Sequence, residues 1–250
     1  MGVDFVKADD MLSPFHASEI EALSRALRKT SRPIVLSLLP GPASVEQAEF
    51  LRANAQMWRI SGELWDTWPS LKQQFELTRR WEAHIRPGGW PDADMLALGR
   101  LSIRGEVGGD RSSRFTRDEQ RTLLTLWSIF RSPVIFGGDL PSNDAFTLSL
   151  LTNPDVIAVD QHSSGNHQSY AKWTIIVWLA DDHGTRDEYT AVFSIGDLAE
   201  NVDLSWAGVG VNVKRAVVRD LWQRKDIGTQ EGIHENLRPH AAVLDKISPE

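Results

Sequence analysis

Three apolar runs in the first hundred residues each close on carboxylates, and those acids are the part of this chain best suited to chemistry. Residues 2–9 (GVDFVKAD) end on Lys7 and Asp9. Residues 58–63 (WRISGE) carry Arg59 and end on Glu63. Residues 90–96 (WPDADML) carry Asp92, Asp94 and Met95. Read as parallel β-strands, the runs put every acid at a strand's C-terminal end, where a βα barrel assembles its active site. Two carboxylates brought there from different strands are what glycosidic-bond cleavage requires. Each acid also has a plainer use. Asp9 can cap a strand end beside Asp10, Glu63 can be a solvated acid at a helix start near Asp66, and Asp94 can close the turn after Trp90.

Other chemistries find less support. There is no Cys and no Gly-x-Ser-x-Gly elbow, so the commonest acyl-transfer nucleophiles are missing. The seven His include no pair at i, i+4, so no zinc site is expected. Asp139, Asn143 and Asp144 could hold calcium, but helix capping explains them more simply. Gly88-Gly89 and Gly137-Gly138 read as turn glycines, without the Lys-Ser/Thr of a phosphate loop. No cofactor is expected. A net charge of −7 without a basic stripe argues against nucleic acid as a partner. No apolar run approaches the ~18 residues of a membrane span. No basic segment followed by an apolar one opens the chain in the manner of a secretory signal, and the lack of Cys fits a bacterial or cytosolic setting. Ten Trp against two Tyr is unusual. Indole faces stack on sugar rings, although most buried Trp is simply core.

The elements that must position these residues follow from periodicity. Residues 2–9, 33–39, 58–62, 90–98 and 133–136 read as five strands. Helical spacing covers 16–30, 45–56, 67–84, 116–131 and 143–152. Thr116 followed by Asp118 and Glu119 has the form of a helix N-cap, and a Gly- and Arg-rich loop fills 104–114. From about residue 166 only short strand-like runs remain, at 174–179, 189–193, 202–206, 211–221 and 241–247, separated by Gly, Asp and Asn. That pattern predicts an antiparallel β-sandwich after a βα part, divided as residues 1–161 and 166–250.

At these residues the chain resembles the retaining α-galactosidases (melibiases) and their α-N-acetylgalactosaminidase relatives. Residues 2–9 resemble the family's fourth barrel strand and 58–63 its sixth. Residues 88–99 (GGWPDADMLALG) resemble the seventh-strand signature. Residues 119–133 and 136–141 resemble the last helix and strand, and 238–244 (RPHAAVL) the close of the C-terminal β-domain. The resemblance implies an α/β fold: a partial (β/α)8 TIM-type barrel of units four to eight, then the sandwich. It implies Asp9 as nucleophile, Glu63 as acid/base, and Lys7, Arg59, Asp94 and Met95 as substrate-binding residues, with Lys7 and Arg59 supplying positive charge beside Asp9. The implied substrate is a terminal α-linked galactose on an oligosaccharide or glycoconjugate. α-N-Acetylgalactosaminidase and β-L-arabinopyranosidase activities are alternatives within the family, and a non-catalytic remnant that at most binds sugar or a partner is the rival outside it. Two positions depart from the family pattern. Glu63 stands where the pattern has Asp, and Leu39 where many relatives place a polar residue facing the sugar's 2-position. The three units implied before residue 2 would hold the acids that grip O4 and O6 of galactose.

Overall fold

The computed structural model describes residues 2–250. The first part alternates strands and helices: β1 (Phe5–Ala8), α1 (Ala17–Arg28), β2 (Val35–Leu38), α2 (Ala48–Asn54), β3 (Met57–Arg59), α3 (Trp68–Trp81) and β4 (Trp90–Asp92). The strands pair in parallel in the order β1-β2-β3-β4, so every chain end that leaves them emerges on one side. A small hairpin follows, β5 (Arg100–Leu101) with β6 (Arg111–Ser112), and then three helices: α4 (Arg117–Phe130), α5 (Ala145–Leu151) and α6 (Pro154–His162).

The fifth strand expected at 133–136 is reduced to a single parallel bridge between Leu96 and Phe136. Pro133 has no N–H to give a ladder, and its carbonyl accepts a bond from Ile135 N two residues on, which folds the segment on itself. The run at 90–98 also stops early, at Asp92, because Asp94 takes a left-handed φ of 87°. The barrel part is therefore an open four-stranded sheet with one bridge beyond its β4 edge.

Helix α4 joins the two parts of the molecule. The Thr116 hydroxyl accepts Glu119 N, and the Glu119 carboxylate accepts Thr116 N, the reciprocal cap that the sequence suggests. Every residue from Thr122 to Phe130 is buried, because α4 has the parallel sheet on one side and the second sheet on the other. Leu123, Trp127 and Phe130 share one core with Trp58 and Leu96 of the first part and with Trp178, Phe193 and Leu244 of the second.

Helix α6, which sequence periodicity did not mark, is capped by the Asn153 side chain and runs directly into β7 (Ser163–Lys172). The remaining strands are β8 (Ile175–Asp182), β9 (Glu188–Ser194), β10 (Glu200–Ser205), β11 (Ala216–Asp220), β12 (Lys225–Gln230), β13 (Gly232–Leu237) and β14 (Ala242–Pro249). They form an antiparallel sheet ordered β12-β11-β14-β9-β8-β7, faced by the pair β10-β13. A second core lies between these layers, built on Val177, Val192, Trp206, Val218 and Ile233. The expected antiparallel sandwich is present. Its polar strands β7, β12 and β13 went unmarked because their exposed residues dilute the alternation. No helix among the described residues is long and apolar enough to cross a membrane.

Candidate active site

A cleft of about 570 Å³ opens at the C-terminal ends of the parallel strands, lined by Lys7, Arg59, Glu63, Trp65, Asp94 and Met95 and by residues of the loops at 100–106 and 137–141. Five of the six residues singled out from sequence thus meet in one cleft, delivered by β1, β3, β4 and the turns that follow them. The sixth, Asp9, stands exposed just past the end of β1 and is not among the lining residues. Strand β2 separates β1 from β3, and at about 4.8 Å per strand their ends lie roughly 10 Å apart.

Asp94 is the most heavily anchored member. Arg59 Nη1 lies 2.6 Å from its Oδ1, with both side chains nearly buried. Leu64 N donates to its Oδ2 at 2.7 Å, and the Trp127 indole donates to its carbonyl at 3.0 Å. The preceding Asp92 accepts Asp94 N at 2.9 Å, a bond that supports the left-handed backbone at Asp94. Burial pushes the Asp94 carboxyl above its ordinary range, against the pull of Arg59, two backbone amides and Lys7. Asp92 is pushed up to about 6, first by burial and further by the like charge of Asp94. Arg59 was expected to place its charge beside Asp9. It is committed to Asp94 instead.

Arg59 is held from behind. Ala43 N donates to its carbonyl at 2.8 Å, and the turn at Gly41 presses so close that a Cβ there would stand 2.2 Å from Ser61 O and 2.9 Å from Arg59 Cβ. Only glycine permits that approach. Glu63 is exposed rather than desolvated, and accepts the Trp65 indole N–H at 3.2 Å. Met95 fills the floor beside Gly137, where a Cβ would meet its Sδ at 2.5 Å. Leu39 is buried and outside the cleft lining.

The buried pair Asp66–Arg111 is a part of the site that sequence reasoning missed. The guanidinium donates to both carboxylate oxygens, at 2.5 and 3.0 Å, and Arg114 N adds a third bond at 2.9 Å. Burial opposes the Asp66 charge, but Arg111 and the Arg114 amide outweigh it and hold the carboxyl below its ordinary range. This clamp fastens the 100–114 loop to the Glu63 turn and so closes one wall of the cleft. The partners lie 45 residues apart, and nothing in local spacing connects them. Asp144, weighed as a cation ligand, instead caps α5 by accepting Thr147 N at 2.7 Å. Among the described residues no group of three or more His, Cys, Asp or Glu is placed to hold a metal ion.

Residues 1–162 match the family model for alpha galactosidase A, and residues 173–247 match that for the alpha galactosidase C-terminal beta sandwich domain. The chain belongs to the α-galactosidase family of glycoside hydrolases. A GH27 β-L-arabinopyranosidase from Geobacillus stearothermophilus, solved with arabinose, superposes with a TM-score of 0.96 at 42% identity, over 100% of this chain and 59% of that one. A putative α-N-acetylgalactosaminidase from Bacillus halodurans gives 0.85 at 36% identity, again over 100% and 59%. Alpha-galactosidase 2 of Arabidopsis thaliana is 28% identical over 97% of this chain and 59% of its own length. The chain thus spans about three-fifths of the length of these relatives.

Proposed function

We propose that the cleft is part of a retaining glycoside hydrolase site for a terminal α-linked galactose, with Asp9 as nucleophile and Glu63 as acid/base. The observation that supports this reading best is the convergence of Lys7, Arg59, Glu63, Asp94 and Met95 on one cleft at the C-terminal ends of parallel strands. In a retaining reaction the nucleophile attacks the anomeric carbon while the acid protonates the departing oxygen, and the acid then activates water against the glycosyl-enzyme. A retaining reaction requires the two carboxyl groups to stand about 5–5.5 Å apart. In this reading Asp94, fixed by Arg59 and Leu64 N, accepts hydroxyl hydrogen bonds from the sugar, and Lys7 donates one.

A second specificity is favoured by the Geobacillus β-L-arabinopyranosidase, the likeness at 42% identity. β-L-Arabinopyranose has the ring configuration of α-D-galactopyranose and lacks only the C6 hydroxymethyl group. The same carboxylate pair serves both, and the pocket around C6 chooses between them.

The test is nitrophenol release from the two aryl glycosides, with the anomer of the first product followed by NMR. Retention is expected. Asp9→Asn should abolish turnover, and Glu63→Gln should lower it by about 10²–10⁴-fold on substrates that need protonation. For the 250-residue chain alone, whose sheet is open beside β1, turnover should fall at least ~10³-fold below that of an intact relative, since a misplacement of about 1 Å alone can cost ~10²-fold. An inverted product, or hydrolysis indifferent to Asp9→Asn, overturns the assignment.

A further inference from the structure

Nine of the ten Trp are buried or half-buried, while Trp173 is 89% exposed. It occupies the two-residue turn between β7 and β8 with a φ of 56°, at a position where glycine or asparagine is the ordinary choice and a bulky residue is a true outlier. The chain therefore bears both backbone strain and a wet indole there, and gets no packing in return. The turn is rigid. Ile195 N donates to Thr174 O at 2.7 Å, and the Thr174 hydroxyl bonds the Glu200 carboxylate. Gly196 is wedged so tightly that a Cβ would stand 2.9 Å from both of those side chains. The adjoining loop between β9 and β10, which meets this turn through Ile195 and Gly196, presents Leu198, 77% exposed, with Asp197 beside it, and Lys172 at the end of β7 is also open to water.

We propose that this tip of the β-domain is a second carbohydrate-binding site, with the Trp173 indole as a platform for a pyranose ring. A sugar ring is apolar on its C–H face and polar at its rim. One indole and one leucine flanked by a carboxylate and an ammonium match both features, the ring stacking and the rim hydroxyls hydrogen bonding. The tip also connects to the cleft's end of the barrel. Asp197 bonds His240 Nε2 at 3.1 Å, and the His240 ring stacks at 3.7 Å on Trp68, the first residue of α3, which follows the Glu63 turn. A polysaccharide held at Trp173 is thereby held by the part of the β-domain that abuts the catalytic end. This inference shares a substrate class with the proposed function and stands whether or not the cleft hydrolyses.

The experiment is native electrophoresis of the whole chain through gels cast with galactomannan. The parent should be retarded. Trp173→Ala and Trp173→Gly should bind about 3- to 10-fold more weakly, and Trp173→Gly should keep or raise the melting temperature because it relieves the turn. Leu198→Ala should have a smaller effect, and Asp94→Asn in the cleft should leave most of the retardation in place. The proposal is overturned if the parent runs unretarded or if Trp173→Ala is retarded like the parent. It is equally overturned if Asp94→Asn alone abolishes retardation, or if light scattering shows that Trp173 buries itself against a second copy.

Discussion

The parallel sheet and the antiparallel sheet of this protein solve the same packing problem to different degrees. In the β-domain, strands of five to ten residues pair in a six-stranded sheet whose two faces are covered, one by α4 and one by β10-β13. In the barrel part, strands of three or four residues leave apolar groups in water: Phe5 and Val35 on the β1 side are 45% and 37% exposed, and Val134 and Ile135 beyond the other edge 48% and 42%. A parallel sheet is ordinarily buried on both faces, so this part leans on α4 and the β-domain for its stability. The region that holds the candidate site is thus the less self-sufficient one. That is physically reasonable, since strand ends and loops supply reactive groups while long ladders supply stability.

The largest expected effect tests whether the two regions truly share a core. Trp178 is fully buried and meets Phe130 of α4 edge-on, with centroids 6.1 Å apart. Trp178→Ala should cost about 3–5 kcal/mol and should lower barrel and β-domain together, as one transition in urea followed by far- and near-ultraviolet circular dichroism. Two separate transitions would break the comparison.

Arg111→Ala comes next. It strands the fully buried Asp66 without its cation, for which about 3–5 kcal/mol is typical. The 100–114 loop should become protease-sensitive while the β-domain stays protected. Limited proteolysis with mass spectrometry reads both.

Asp92→Asn acts in the opposite direction, and only above acid pH. A native pKa of about 6 against the usual 3.8 corresponds to about 3 kcal/mol, at about 1.4 kcal/mol per pH unit. Because the native value is the higher one, the folded state binds more protons between the two, and stability falls as pH rises through that window. The amide oxygen can still accept Asp94 N. The variant should therefore outlast the parent by up to about 3 kcal/mol at pH 8 and match it below about pH 4, in denaturant titrations across pH. A gain that persists at low pH would show that charge is not the cause.

Hydrogen exchange sharpens the contrast amide by amide. Amides of β1 should exchange orders of magnitude faster than those of β9, which has a paired neighbour on both sides. The smallest effect belongs to Ile135→Lys, on a wet edge, which should change stability by no more than about 0.5 kcal/mol. A clear loss would mean that this edge is covered in solution.

Much of this was written in local sequence. Helices α1 to α5 follow from apolar spacing, and the α4 cap from Thr116 and Glu119, because these signals act within one or two turns. The acids at strand ends were equally legible, since a parallel strand must present its C-terminal residues to one side. What local sequence could not contain is whatever depends on partners far along the chain. The Asp66–Arg111 clamp joins residues 45 positions apart. The allegiance of Arg59 to Asp94 rather than Asp9 was decided by the left-handed turn after β4. The failure of 133–136 to become a full strand was decided where Pro133 met Leu96. The sequence determined which residues could do chemistry and which end of the sheet would hold them. Tertiary structure decided which charges neutralise one another, because a charge takes its partner from whatever the fold brings within a few ångströms, and burial then fixes how strongly it is held.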